Sequence, residues 1–312
     1  LSHVDISHIS IADAVKQTIS DVMASKKVKR HVGNWCMQNE GYQNLLEIHS
    51  YTIELVSPYI RWHNYVNRGL LVELFDILLG ANPGHLHHVW SFYNQWRSRG
   101  GKYPYTYGER IFGETGEINQ WRQAVELLRA DKTTRHAYIT IRRPNDITEE
   151  YTPCSIGLFF HINHEGKLDM EWLMRSNDLD VGGLLRNLFI AAHLHEQMSL
   201  STGIPIGNYY HHDMNVHIYE ATYSKVSNLS ANLRSFVGQE TPAKLLTDFD
   251  KGFINSTLDN YFLYHKLPDE DNPFFSRHEY YGALLRYILK IPTRWEINEI
   301  QWLEANKPKE VQ

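Results

Sequence analysis

Cysteine is nearly absent from this chain: 312 residues hold only Cys36 and Cys154, far apart and neither with a Cys or His at metal-ligand spacing. No disulfide framework or zinc ribbon is therefore expected, and there is room for one reactive thiol. Long hydrophobic runs are missing too. No apolar stretch approaches the roughly 18 residues of a membrane span, and the first residues lack the basic start, apolar run and small-residue site of a secretion signal. A soluble, cytoplasmic protein without a membrane partner is expected. Positive charge is also scarce, 31 Lys and Arg against 36 Asp and Glu for a net charge of -5. Duplex nucleic acid needs a basic face, so it is not an expected partner. The one basic run, KKVKR at 26–30, reads as a solvated helix end.

With 42% hydrophobic residues the chain can bury one large core or two ordinary ones. Val15, Ile19 and Val22 recur at helical spacing in ADAVKQTISDVMASKK. GLLVELFDILLG (69–80) reads as a buried helix closed by glycine, and NQWRQAVELLRAD (119–131) as another. RHAYITIRR, SIGLFFHI and LDMEWLM are strand-like, the last two joined by the turn NHEGK (163–167) as an antiparallel hairpin. A long helix is expected from Leu184 to about Ser201. Thr241 and Pro242 look like the cap and first position of a helix through AKLLTDFDKGF, and EYYGALLRYILK (279–290) fits a late helix. The acidic LPDEDNP (267–273) reads as an exposed loop, and there is no internal repeat or low-complexity linker. Helices interleave with a mixed sheet, so the fold class is α/β or α+β.

The chemistry gathers where the hairpin ends. Leu168, Met170, Trp172 and Met174 alternate down a half-buried strand that runs straight into Arg175, Ser176, Asn177 and Asp178. The hairpin returns Arg175 to the end of the sheet from which Cys154 starts. A thiolate is a strong nucleophile near neutral pH, and a neighbouring cation helps to populate it. Arg175 and Ser176 also suit a phosphate, through paired charge-assisted bonds and a hydroxyl donor. Histidine is abundant, in HLHH (85–88), HLH (193–195) and HHD (211–213). None shows the four-residue helical spacing with an intervening Glu that a zinc hydrolase requires, so no metal is assigned and these histidines are expected as satisfied polar core residues.

In chain order, RGLLVELFDILLG (68–80), YTYGER (105–110), TRHAYITIRRPND (134–146), TPC (152–154), RSNDLDVGGLLRN (175–187) and HIYE (217–220) resemble the thymidylate synthase family, including its nucleotide hydroxymethylase branch. The resemblance implies a mixed sheet flanked by helices in a single domain over 1–312. The recognisable core spans about 60–235, with a divergent N-terminal segment 1–58 and a divergent helical C-terminal extension 236–312.

The resemblance also implies a site. Cys154 matches the nucleophile that adds to C6 of a pyrimidine, Glu73 the residue that organises water and proton transfer, and Tyr107 the tyrosine beside the thiol. Arg175 and Ser176 match the phosphate ligands, with Arg135 reaching in from the other subunit of a homodimer. Asp178 matches the aspartate that meets the folate ring and Tyr93 stands where the family has a tryptophan beside it, three residues ahead of Trp96. Asn187 matches the residue that reads the base edge, and His217 and Tyr219 the pair on the ribose 3'-hydroxyl. Gly182 and Gly183 would turn the chain toward Asn187. The implied partners are a pyrimidine nucleoside monophosphate (dUMP, dCMP or CMP) and 5,10-methylenetetrahydrofolate.

Departures from the family shape the expected outcome. His136 replaces the second of two adjacent arginines, the glycine-rich N-terminal phosphate loop is not matched, and the C-terminal ending that closes over the cofactor is replaced. An altered lid and folate wall favour water over hydride at the one-carbon unit, so 5-hydroxymethylation is expected ahead of thymidylate synthesis. A non-catalytic nucleotide- or RNA-binding member is the alternative of another class, against which the retained thiol counts.

Overall fold

Leu168, Met170, Trp172 and Met174 form the apolar face against which the fold is laid, each 2% exposed or less. The computed structural model describes residues 7–8, 10–32, 41–56, 61–82, 84–98, 101–113, 118–149, 151–180, 183–236, 243–269, 271–290 and 298–306. The N-terminal half contains β1 (Ser7–His8), α1 (Ile11–Met23), β2 (Lys27–Val32), β3 (Gly41–Leu55), α2 (Arg68–Leu79), α3 (Leu86–Val89), α4 (Tyr107–Phe112) and α5 (Gln120–Ala130). There follow β4 (Tyr138–Thr140), β5 (Ser155–Ile162), β6 (Leu168–Met174), β7 (Asn177–Asp178), α6 (Gly183–Thr202) and β8 (Ile206–Tyr219). The remainder is helical: α7 (Tyr223–Asn232), α8 (Asp248–Tyr264), α9 (Pro273–Arg277), α10 (Glu279–Leu289) and α11 (Asn298–Ala305).

The strands form one eight-stranded mixed sheet in the order β1-β3-β8-β6-β5-β4, with β2 added to β3 and β7 to β8. The expected hairpin is present: β5 and β6 pair antiparallel from Ile162 opposite Leu168 to Ser155 opposite Met174. Its turn closes through Asn163 N–H to Lys167 O at 2.8 Å, with Gly166 at φ 77°, a conformation costly for a residue with a side chain. β6 then runs parallel to β8, Trp172 opposite His211.

Helix α6 packs on β6 and β8, burying Leu184, Leu188, Phe189, Ala191 and Ala192. Its histidines serve as structural polar groups: His193 bonds Phe189 O at 2.8 Å and the Tyr280 hydroxyl at 2.6 Å, and His195 bonds Leu168 O at 2.7 Å. Helix α2 is capped by Asn67, whose side chain accepts from Leu70 N–H at 3.1 Å, and ends at Gly80 with φ 68°. The late helices α8 and α10 pack on α2, and Gln197 of α6 donates to the Tyr281 hydroxyl at 3.0 Å. No helix among the described residues is long and apolar enough to cross a membrane.

Several sequence expectations need correction. The KKVKR run is not a helix end but opens β2, pairing antiparallel with β3 while Lys27 and Arg30 pair with Glu220 and Glu47. Alternating apolar and charged side chains suit an edge strand with cross-strand carboxylates. Of RHAYITIRR only Tyr138–Thr140 is a strand. Thr241 and Pro242 lie outside the described residues, as do Cys36 and Gly182, and the helix expected from there begins instead at Asp248. Its cap is Thr247, in a capping box with Asp250.

One latch ties α8 to the loop after α2. His85 bonds Asp76 at 2.8 Å and Asp259 at 3.1 Å and stacks on Phe262. Burial works against a charged His85, yet the two carboxylates outweigh it and raise its pKa. A raised folded value means that its contribution is complete below the unfolded pKa of about 6.5 and is lost as pH rises through the folded one. The stability lost on His85→Gln, measured by urea denaturation, should therefore be larger at pH 6 than at pH 9; equal losses would refute the charged latch. In the apolar core, Phe189→Ala should cost about 3–5 kcal/mol by the same measurement.

Candidate active site

Where the strands of the hairpin end, a cavity of about 390 Å³ opens between the C-terminal ends of β6 and β8, α2, α4 and the first turn of α6. Cys154 stands at the entrance to β5 and lines it, half-buried. Arg175 follows β6 directly. Its backbone N–H donates to Cys154 O at 2.8 Å, and its guanidinium donates through Nε to Pro153 O at 3.0 Å and through Nη2 to Thr152 O at 3.1 Å. The arginine thus grips the loop that carries the thiol through three consecutive carbonyls. Ser176 and Asp178 line the cavity beside it.

Tyr107 opens α4, whose cap Thr106 accepts from Glu109 N–H at 3.1 Å and donates to Ala81 O at 2.9 Å. The Tyr107 hydroxyl accepts the Ser155 N–H at 3.2 Å, next to the thiol's own peptide. Burial, and the nearby Cys154, hold its pKa well above the ordinary tyrosine value, so the phenol keeps its proton. Trp172 donates to Ser155 Oγ at 2.5 Å from within the core.

Glu73 reaches the cavity from α2. Burial raises its carboxyl above the usual range, Arg186 opposes that, and Asp76 on the same helix adds to it. Arg186 Nη1 lies 3.4 Å from Glu73 Oε2, and that oxygen is buried without a hydrogen-bond partner among the described residues, as are Thr152 Oγ1 and the Tyr103 hydroxyl. Tyr93 stacks on Trp90 at 6.2 Å and meets Trp96 edge-on at 5.2 Å, making an aromatic wall.

Asn187 and Arg186 face the cavity from α6, whose first residue is Gly183. A Cβ there would lie 2.0 Å from Asp178 O, so only glycine lets the helix start this close to the strand. Asn187 Nδ2 lies 3.3 Å from Met174 Sδ and 3.4 Å from Asn177 Oδ1. Behind it Asn177 Nδ2 meets His211 Nε2 at 3.2 Å and Asp213 Oδ2 at 3.4 Å. On β8, His217 Nδ1 bonds Asn215 Oδ1 at 2.8 Å while Asn215 Nδ2 donates to Glu47 at 2.9 Å. Burial lowers the His217 pKa to about 4, so the ring is neutral, donates from Nδ1 and keeps Nε2 as an acceptor.

The cavity therefore brings together Cys154, Glu73, Tyr107, Asp178, Arg175, Ser176, Asn187, His217, Tyr219 and Tyr93. Arg135 and its neighbour His136 are exposed and line none of it. Sequence reasoning missed Arg186, Asn177, Thr152 and Tyr105. Arg186 had a readable signal, as a charged residue beside the apolar Leu184, Leu185, Leu188 and Phe189 at the start of α6. Among the described residues no group of His, Cys, Asp and Glu is arranged to hold a metal ion.

This mixed-sheet fold is shared with a solved structure. Thermostable thymidylate synthase A from Bacillus subtilis superposes with a TM-score of 0.60 at 18% identity, covering 73% of this chain and 86% of that one. The thymidylate synthase family model matches residues 17–249, and the chain belongs to that family. Among its relatives, a deoxyuridylate hydroxymethyltransferase of Bacillus phage SP01 is 29% identical over 162 residues, 46% of this chain and 41% of that protein. A deoxyuridylate hydroxymethyltransferase of Pseudomonas phage M6 is 38% identical over 93 residues, 29% and 26% of the two chains. A putative thymidylate synthase of Methanosarcina mazei is 30% identical over 128 residues, 41% and 58% of the two. The chain thus spans less than two thirds of the length of each of these relatives.

The bond between Tyr107 and Ser155 is directly testable. Tyr107→Phe leaves the Ser155 N–H without its acceptor, at a cost of about 1–3 kcal/mol. Hydrogen exchange at that amide, followed by NMR, should quicken by about tenfold or more; an unchanged rate would show that the hydroxyl is not its partner.

Proposed function

We propose that the cavity binds a pyrimidine nucleoside monophosphate and transfers a one-carbon unit to its C5, leaving a hydroxymethyl group. The observation that carries this is the convergence, in one cavity, of a nucleophile at a strand entrance, a cation and hydroxyl for phosphate, an amide for the base edge and a buried carboxyl.

Cys154 adds to C6 of the base, and C5 becomes an enolate-like carbanion. Arg175 and Ser176 hold the phosphate, which fixes the ring over the sulfur and makes the attack effectively unimolecular. Asn187 meets the base edge, and the acceptor nitrogen of His217 with Tyr219 suits the ribose 3'-hydroxyl. Tyr107, kept protonated, donates or relays a proton near the thiol. The co-substrate 5,10-methylenetetrahydrofolate supplies the one-carbon unit at the oxidation level of formaldehyde. Residues present fit it: Asp178 and the wall of Tyr93, Trp96 and Tyr103 would hold it, and the unpartnered oxygens of Glu73, Thr152 and Tyr103 offer polar contacts.

Water, rather than hydride, as the nucleophile that adds to the C5 methylene is favoured by the polar wall that Glu73 and Arg186 form, by a hydroxyl-bearing Tyr93 where the family has a tryptophan, and by relatives named as hydroxymethyltransferases. A homodimer with Arg135 completing the partner's phosphate site accounts for an exposed arginine within a family motif. A cytoplasmic location suits these substrates.

Incubation with dUMP, dCMP or CMP and methylenetetrahydrofolate should give a product heavier by CH2O; a gain of CH2 would mean methylation and overturn the hydroxymethyl assignment. Cys154→Ala should lower turnover by at least about three orders of magnitude. Mixing inactive Cys154→Ala and Arg135→Ala subunits should restore activity, and failure to do so would place Arg135 outside a shared site.

A further inference from the structure

We propose that Arg186 is a positioning residue, the counter-ion that holds Glu73 as a carboxylate facing the cavity, where it takes the proton of the water that attacks the one-carbon unit at C5. This rests on the hydroxymethyl outcome above and names the side chains that would produce it. An arginine in the first turn of α6, among buried Leu184, Leu188 and Phe189, pays a desolvation cost that a hydrophobic residue would avoid. Its guanidinium is held on three sides: 4.9 Å from the Trp90 ring, 3.5 Å from the Tyr93 hydroxyl and 3.4 Å from Glu73 Oε2.

The last distance is short enough for an ion pair and long for a hydrogen bond. Glu73 Oε2 is therefore neutralised by charge while its lone pairs remain for another donor, and it is buried with no hydrogen-bond partner among the described residues. A carboxylate capped by a bidentate arginine would be a poorer base. The other ionisable groups around Glu73 leave this role to Arg186. Asp76, one turn along α2, opposes a second negative charge, but its own carboxylate is engaged by the His85 ring and by the His85 and Leu86 N–H groups at 2.7 and 2.8 Å. Tyr93 from the turn after α3 and Tyr107 from α4 are phenols kept neutral by burial.

The step balances. The water oxygen bonds to the exocyclic carbon of the C5 methylene group, and Glu73 accepts the proton. The electron pair of that double bond moves into the ring. Its return re-forms C5=C6 and expels the Cys154 sulfur from C6 as thiolate, and Glu73 later yields its proton to solvent.

The charge pairing is read in the free protein, with no co-substrate, by 13C NMR titration of glutamate carboxyls, the Glu73 resonance being assigned with Glu73→Gln. Removing a cation at this distance in Arg186→Leu should raise the Glu73 midpoint by about one to three pH units, with a smaller rise in Arg186→Lys. An unmoved midpoint in both variants overturns the proposal. In turnover, hydroxymethyl formation by Arg186→Leu should be lost near neutral pH and recovered at higher pH, its acid limb displaced by the same amount. An undisplaced acid limb also overturns it. A midpoint that moves while the wild-type protein hydroxymethylates no pyrimidine nucleotide supports the charge pairing and refutes instead the reaction on which the water step rests.

Discussion

The hydrogen bond from Arg175 N–H to the Cys154 carbonyl, 2.8 Å, is the rung on which the sheet and the site depend together. It continues the β5–β6 ladder one step past the paired Ser155 and Met174. Side chains alternate faces along a strand, so a slip of one residue in this hairpin would turn Leu168, Met170 and Trp172 out of the core and carry Arg175 away from the loop of Cys154. Burial of these large side chains, at about 1.5–3 kcal/mol each, therefore fixes the register that places the backbone N–H and the guanidinium of Arg175 against three consecutive carbonyls. The hydrophobic effect sets the position of a polar site it does not touch.

The Asn187 side of the cavity is held by a different means. Asn177, His211 and Asp213 are buried, and Tyr209 adds its hydroxyl to His211 Nδ1 at 2.6 Å. With Asp213 Oδ2 as acceptor, the nitrogen end of Asn177 must face it, which turns Asn177 Oδ1 toward Asn187 Nδ2. A polar chain in low dielectric is costly when any member lacks a partner, so each amide orientation constrains the next. Gly183 complements this from the backbone by letting α6 start against Asp178 O. Asn187 is thus placed by a helix that packs on the apolar face of the sheet and by amides that pass through it.

Legibility in the sequence followed the physics of each part. The hairpin, α2 and α10 were readable because period and punctuation coincide: strict alternation around an Asn and Gly turn, or an apolar helix ending on Gly80 or at Lys290. β3 and β8 were not, although they are the longest strands of the sheet. Tyr, His, Asn and Asp fill β8 where aliphatic residues would announce a strand, since its inner face carries the polar network behind Asn187. KKVKR misled because β2 lies at the side of the sheet, where lysine and arginine pair with carboxylates across the strand. Most of the cavity-lining side chains expected from the sequence lie in the family's motifs, while Arg186, Asn177, Thr152 and Tyr105 line the same cavity from inside those motifs at positions to which the motifs assign no role.

The helices beyond the motifs belong energetically to the cavity. Asp76 lines it, three residues from Glu73 on α2, and its carboxylate receives two backbone N–H groups and the His85 ring. That ring also binds Asp259 of α8, and His88 stacks on Phe262 one turn later at 5.1 Å. Asp76 and Asp259 both favour the charged form of His85, which would compensate the second carboxylate on the wall where Glu73 stands. Loss of that charge would leave Asp76 raising the proton affinity of Glu73 with less to offset it, so α8 bears on the site through electrostatics as well as packing. Among the described residues beyond 236 none lines the cavity, yet through Asp259 and His85 this region reaches the carboxylate that neighbours Glu73.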